Sequence, residues 1–177
     1  VHGHNNVRGA TLFPHHIALG ATGDAIVELK QILAEDPRDV EALDVLGRLY
    51  RVEGKAKELR DLYDHRLAHT EVPSERWVLL SEVAELEETL LEDSEAAARR
   101  YRAILEIDDM DPEALRALDR LASAAGRWEE VSSMLEKRRQ LADAGSAESG
   151  QLALRHADAA GRVRRRPGAD GRGRAAP

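Results

Sequence analysis

A repeat held in a 72-residue register constrains this chain most. Leu43, Leu46, Leu49 and Gly54 return as Leu115, Leu118, Leu121 and Gly126. Asp36 and Asp39 return as Asp108 and Asp111, and Glu41-Ala42-Leu43 returns as Glu113-Ala114-Leu115. Leu29, Ile32 and Leu33 have Tyr101, Ile104 and Leu105 as counterparts. Half of this register, about 36 residues, is close to the ~34 of a helix-turn-helix repeat. The clearest copy is residues 111–142. Leu115, Leu118, Leu121, Ala122 and Ala125 there share one face of a helix with 3.6 residues per turn. Pro112 suits the first helical position, and Asp111 before it can accept a backbone N–H. Gly126 stops the helix by adopting a positive φ. Trp128, Val131, Met134, Leu135 and Leu141 form the next amphipathic stretch, and so short a connection forces the two helices antiparallel.

Composition agrees with an all-α chain. The sequence is 33% charged and 3% aromatic, a balance expected of exposed helices rather than of alternating strands. There is no Cys, which excludes disulfides and thiolate chemistry. No apolar run approaches the ~20 residues of a membrane span, and no leader pattern is visible. The compartment stays open, with a soluble, cytoplasmic protein favoured. Val1 in place of Met is expected of a processed product or a fragment. Net charge is −7; residues 155–177 carry seven Arg against two Asp, which leaves about −12 on the rest. An acidic body argues against nucleic acid as a partner, since phosphate contacts need clustered Lys and Arg.

Leu43-x2-Leu46-Gly47-x2-Tyr50, followed by Leu59-x3-Tyr63, resembles the tetratricopeptide repeat, with Leu in the place of its Trp. Ala97-x3-Tyr101 matches the second-helix part of the same pattern. The resemblance covers residues 24 to about 145 and implies, for a domain of residues 24–160, a right-handed α-solenoid of about three helix pairs with partial units at both ends. Ala25, Ile26, Leu29, Ile32 and Leu33 form a second helix without its first, so unrelated sequences are expected to join near residues 23–28. In the middle unit, Ser74 is expected to cap a helix whose face is Trp77, Leu79, Leu80, Val83, Leu86 and Leu90. A last first helix starts after Gly145 with Leu152, Leu154 and Ala157, then fails. Residues 161–177, rich in Arg and Gly, are expected to be disordered, and read better as GC-rich DNA translated in another frame than as an RNA-binding arm.

Residues 1–23 are different in kind. They hold four His, four Gly and the only Phe. His2, His4, His15 and His16 lack a scaffold that would converge them on a metal, so no metal site is expected. The string from Val1 to Thr22 resembles a segment of family 3 glycoside hydrolases, from the barrel near the sugar pocket. His16 stands where that family usually has Asn, and its nucleophilic Asp and acid/base Glu have no counterparts here. A (β/α)8 barrel needs ~250 residues and glycoside hydrolysis needs two opposed carboxylates. No catalytic residue and no cofactor is therefore expected. The alternative reading is an inactive fragment or fusion of such a hydrolase.

The tetratricopeptide resemblance implies a protein-interaction scaffold of bacterial type, not an enzyme. First helices of such arrays line a concave groove that takes a protein or peptide partner. By motif position the groove residues are Glu41, Asp44, Arg48 and Arg51, then Glu113, Arg116, Arg120 and Ser123, with Glu87 from the middle unit. These charges are mixed and lack the Asn and Lys set of a carboxylate clamp. Arg48 and Arg120 are register equivalents that could bridge an acidic peptide; the simpler expectation is pairing with nearby acids, such as Asp44 with Arg48. Glu82, Glu85, Glu87 and Glu88 read as a solvated helix face, and His65 with His69 as surface residues near a helix C-terminus.

Overall fold

The computed structural model describes residues 22–142 and 145–165. Among them it is all α-helix, without strands: α1 Thr22–Glu35, α2 Val40–Val52, α3 Ala56–His69, α4 Pro73–Thr89, α5 Ser94–Ile107, α6 Pro112–Ala124, α7 Trp128–Leu141 and α8 Ala147–Arg164. The hydrolase-like stretch up to residue 21 and the tail from residue 166 lie outside the described residues. The helices gather in two compact units, one ending at His69 and one starting at Thr70. In the first, α1 packs on α2 and α2 on α3; in the second, α4 packs on α5, α5 on α6, α6 on α7 and α7 on α8.

The 72-residue register is visible atom by atom. The Asp39 carboxylate accepts the Ala42 N–H at 2.8 Å and caps α2, and Asp111 accepts that of Ala114 at 2.7 Å and caps α6. Asp36 and Asp108 each accept a backbone N–H two residues on, at 3.0 Å. Gly54 and Gly126 close these helices at φ 64° and 67°, a region that costs L-residues about 1–2 kcal/mol. The N–H after each glycine returns to a carbonyl five residues earlier, at 2.9 Å in both copies. Each cap satisfies donors or acceptors that a helix end leaves open.

The apolar face follows the same spacing. Leu43, Leu46, Leu49 and Tyr50 are buried on α2, as are Leu115, Leu118, Leu121 and Ala122 on α6. In the second unit Leu118 and Leu121 meet Ala97 and Ala98 of α5, while Ala122 joins Val131, Leu135, Leu152 and Ala159 across α6, α7 and α8. Each buried aliphatic side chain contributes about 1.5–3 kcal/mol by leaving water. Gly47 does not need to be Gly for closeness alone. A Cβ there would lie 3.6 Å from Leu62 Cδ2 and 3.8 Å from Leu59 Cδ1, which is ordinary contact.

Several helix ends depart from expectation. Val72 precedes α4, Pro73 opens it, and Ser74 lies inside its first turn instead of capping it. Leu90, Leu141 and Leu154 are exposed, and Ala125 is the exposed residue that closes α6. Each belongs to a last turn or an outer face, where periodicity continues but no partner helix lies over it. The last helix runs to Arg164, beyond the boundary placed at residue 160. Its Ala and Arg residues favour helix intrinsically, so it continues without a wide apolar face. His65 is half-buried, not a plain surface residue, and its ring meets that of His69 edge-on at 4.8 Å.

Candidate functional site: a charged cleft in the second unit

The site is built on two first helices. Trp77 stands 34 residues after Leu43 and 38 before Leu115, so α4 aligns with α2 and α6 through it. Burial supports this alignment: Leu46, Leu80 and Leu118 are all buried, as are Leu49, Val83 and Leu121, and Tyr50, Ala84 and Ala122. Arg48 and Arg51 of α2 then correspond to Glu82 and Glu85 of α4. These two, and not Glu87, line the cleft of the second unit. Glu87 is only 2% exposed and faces inward, where the Arg100 guanidinium grips it with Nε at 3.2–3.3 Å and Nη2 at 3.0 Å. The reason is length. α4 has 17 residues against 13 in α2 and α6, and the extra turn carries Glu87 over α5. The expected solvated row of four Glu is therefore not one face.

Between α4 and α6 lies a cleft of about 1040 Å³, with Tyr101 and Ile104 of α5 among its lining. From α4 it takes Val78, Glu82 and Glu85; from α6 it takes Glu113, Arg116, Arg120 and Ser123. All four expected groove residues of α6 therefore share one concavity. Glu41, Asp44, Arg48 and Arg51 lie on α2 in the first unit, exposed to solvent. There Asp44 pairs with Arg66 of α3 at 3.1 Å instead of with Arg48. Arg51 donates to the Tyr63 hydroxyl, with its guanidinium carbon 5.8 Å from the Tyr63 ring centre.

Three polar arrangements give the cleft its charge pattern. Arg120 makes a two-pronged pair with Glu88 of α4, one prong being Nη2 to Oε2 at 3.0 Å. The Trp77 Nε1–H donates to Asp111 Oδ2 at 3.0 Å, so the cap of α6 is also tied to α4. The third is Asp119, at the register position of Gly47 and Ser81, with a side chain only 3% exposed. It accepts from Arg138 of α7 at 2.6 Å and from both Nη atoms of Arg155 of α8, at 2.7 and 2.8 Å. Helical spacing places Asp119 on the apolar face, four residues after Leu115 and three before Ala122, and the register agrees, because Gly47 at the same step is buried.

The Arg120 hydrogen bond holds the Glu88 carboxyl below its usual range, against the opposing effect of burial, and Glu88 raises Arg120 in return. Tyr101 is pushed up, first by burial and then by the charge of Glu88. A lowered carboxyl contributes stability above its ordinary pKa, and that contribution fades as pH falls through the folded value. Arg120→Ala should thus lower stability at neutral pH by about 1 kcal/mol or less, because Arg120 is exposed. In urea melts, the gap to the parent chain should narrow once pH drops below the usual carboxylate range. A gap that is constant down to acid would show that the pair contributes nothing.

Helix pairs with matching caps and a shared register define an all-α helical-repeat chain. Among solved structures it is similar to the crystal structure of MamA, with 16% identity over 84% of this chain and 96% of that one, at a TM-score of 0.48. It is also similar to BtubC (BKLC) from P. vanneervenii, with 17% identity over 81% of this chain and 70% of that one, at a TM-score of 0.45. No family model and no curated protein matches the sequence. At such low identities and scores, neither neighbour carries a function to this chain. No described helix is long and apolar enough to cross a membrane.

Proposed function

We propose that this chain is a non-catalytic interaction scaffold whose first-helix faces bind a protein or peptide partner. The observation that carries this reading is the second-unit cleft, where α4 and α6 bring Glu82, Glu85, Glu113, Arg116 and Ser123 around one concavity. Its size is that of a binding site, and its polar groups are spread along two helices instead of converging on one reacting atom. The register-equivalent residues Glu41, Asp44, Arg48 and Arg51 form the corresponding exposed face of the first unit, taken by itself. Arg120 serves this reading as a wall of the cleft more than as a free cation, because Glu88 already holds it.

Capture of a partner from the source lysate by the full chain, with identification by mass spectrometry, tests the proposal. Capture should fall in high salt, since the lining is charged, and should fail for a Glu85→Lys, Arg116→Glu double variant of unchanged helicity. Capture indifferent to both would remove the cleft from the account. The resemblance of residues 1–23 to family 3 glycoside hydrolases supports the second reading, an inactive hydrolase fragment. No turnover of an aryl β-glucoside is expected above background; turnover abolished by changing one carboxylate would overturn the non-catalytic reading.

A further inference from the structure

Six carboxylates line the second-unit cleft against four guanidiniums, a formal surplus of two negative charges among the described residues. Two of the six are matched within the protein. Glu88 is held by Arg120, and Asp119 lies between Arg138 and Arg155. Glu148, 3.9 Å from Arg138, offsets the extra guanidinium there. What remains is Glu82, Glu85, Asp111 and Glu113 against Arg116, whose Nε donates to the Pro112 carbonyl of its own helix.

These acids face one stretch of the cleft. The Trp77 Nε1–H bond to Asp111, at 3.0 Å, brings the start of α6 beside α4, and Glu113 lies two residues further on. On α4, Val78, Glu82 and Glu85 follow one another at steps of four and three residues, so they share a face. Asp111 contributes charge without an open contact, because its two oxygens accept from the Ala114 N–H and from Trp77. Glu85 and Glu113 are exposed and have no ion pair among the described residues. Among these acids, Val78 leaves an apolar side chain 47% exposed on the cleft wall.

Apolar surface beside carboxylates is what a long basic side chain uses, the stem lying on the first and the charged head reaching the second. A partner carboxylate would meet four like charges opposed by one guanidinium, and such contacts cost several kcal/mol in an interface. We propose that this end of the cleft binds a partner segment rich in Lys or Arg and lacking Asp and Glu, with one basic side chain laid over Val78 and its head among Glu82, Glu85 and Glu113. The inference rests on the scaffold reading and deepens it by naming the partner's chemistry.

Fluorescence anisotropy on the full chain tests it. The probes are labelled peptides of about twelve residues in a Gly-Ser background, carrying four Lys, four Asp, two of each, or no charge. The four-Lys probe should bind about tenfold more tightly than the other three, the equivalent of one well-placed charge contact, and added salt should weaken it. A Glu85→Gln, Glu113→Gln variant should lose that advantage. The body of the chain is acidic as a whole, so a second variant, Glu28→Gln with Glu35→Gln, removes two exposed charges from α1 instead and should keep the advantage. Circular dichroism should show unchanged helicity in both. Equal binding of the four-Lys and uncharged probes would overturn the proposal, as would tighter binding of the four-Asp or mixed probe. Equal losses in the two variants would overturn it too, because the attraction would then belong to net charge and not to the cleft. If lysate capture still succeeds while no preference for the basic probe appears, the scaffold reading stands and this inference falls. If capture itself fails, the scaffold reading falls.

Discussion

Leu118→Ala is expected to destabilise the second unit by about 2–5 kcal/mol. Leu118 is 3% exposed and packs with Leu121, Ala97 and Ala98, with Tyr101, Leu105 and Met134 around them. Removing its isobutyl group loses the transfer free energy and leaves a cavity between α5, α6 and α7 that rigid helices fill only in part. The loss sits at the upper part of the range if Met134, the flexible neighbour, does not move in. Leu154→Ala deletes the same atoms from α8, where Leu154 is 74% exposed. It should change stability by less than about 0.5 kcal/mol. Urea melts of the two variants compare one substitution at two places. Equal losses would mean that the inner and outer faces are wrongly assigned.

Asp119→Ala is expected to cost about 3 kcal/mol, because breaking a buried ion pair strands the remaining charge. The stranded group is Arg138, whose side chain is 15% exposed. Arg155 is the milder loss, since at 49% exposure it can turn to water. The effect should not stay at α6. Arg155 ties α8 to α6, and α8 otherwise buries only Leu152 and Ala159 fully, with Arg162 stacked on Trp128 at 4.5 Å. Amide exchange in α8 should therefore quicken more than in α4. A further change of Arg138 to Met in the Asp119→Ala background should recover part of the loss, because it removes the unpaired charge. No recovery would place the cost in packing instead of in charge.

The leucine ladder, the Asp caps and the two closing glycines were readable because each has a local signature. Aliphatic residues at helical spacing face one way, a carboxylate before a helix meets free N–H groups, and glycine takes positive φ. Buried charge is masked by its residue type. Asp119 falls within the apolar ladder, between Leu115 and Ala122, but a carboxylate there reads as solvent-facing until its arginine partners are known. Glu87 misled for a related reason: α4 is about one turn longer, and motif spacing taken from its neighbours put the groove on the wrong residue. Anchoring on Trp77 would have found Glu82 and Glu85. The arginine pairs were legible only as a class. That Arg120 would choose Glu88, 32 residues away, and Asp44 would choose Arg66 depends on which helices meet, which periodicity alone does not specify.

Hydrogen exchange on the full chain, with and without its captured partner, tests the scaffold account most directly. Binding should slow exchange in α4 between Val78 and Glu85 and in α6 between Glu113 and Ser123, with less change on the outer helix α7. Protection confined to α7, or to residues outside both cleft helices, would contradict the account.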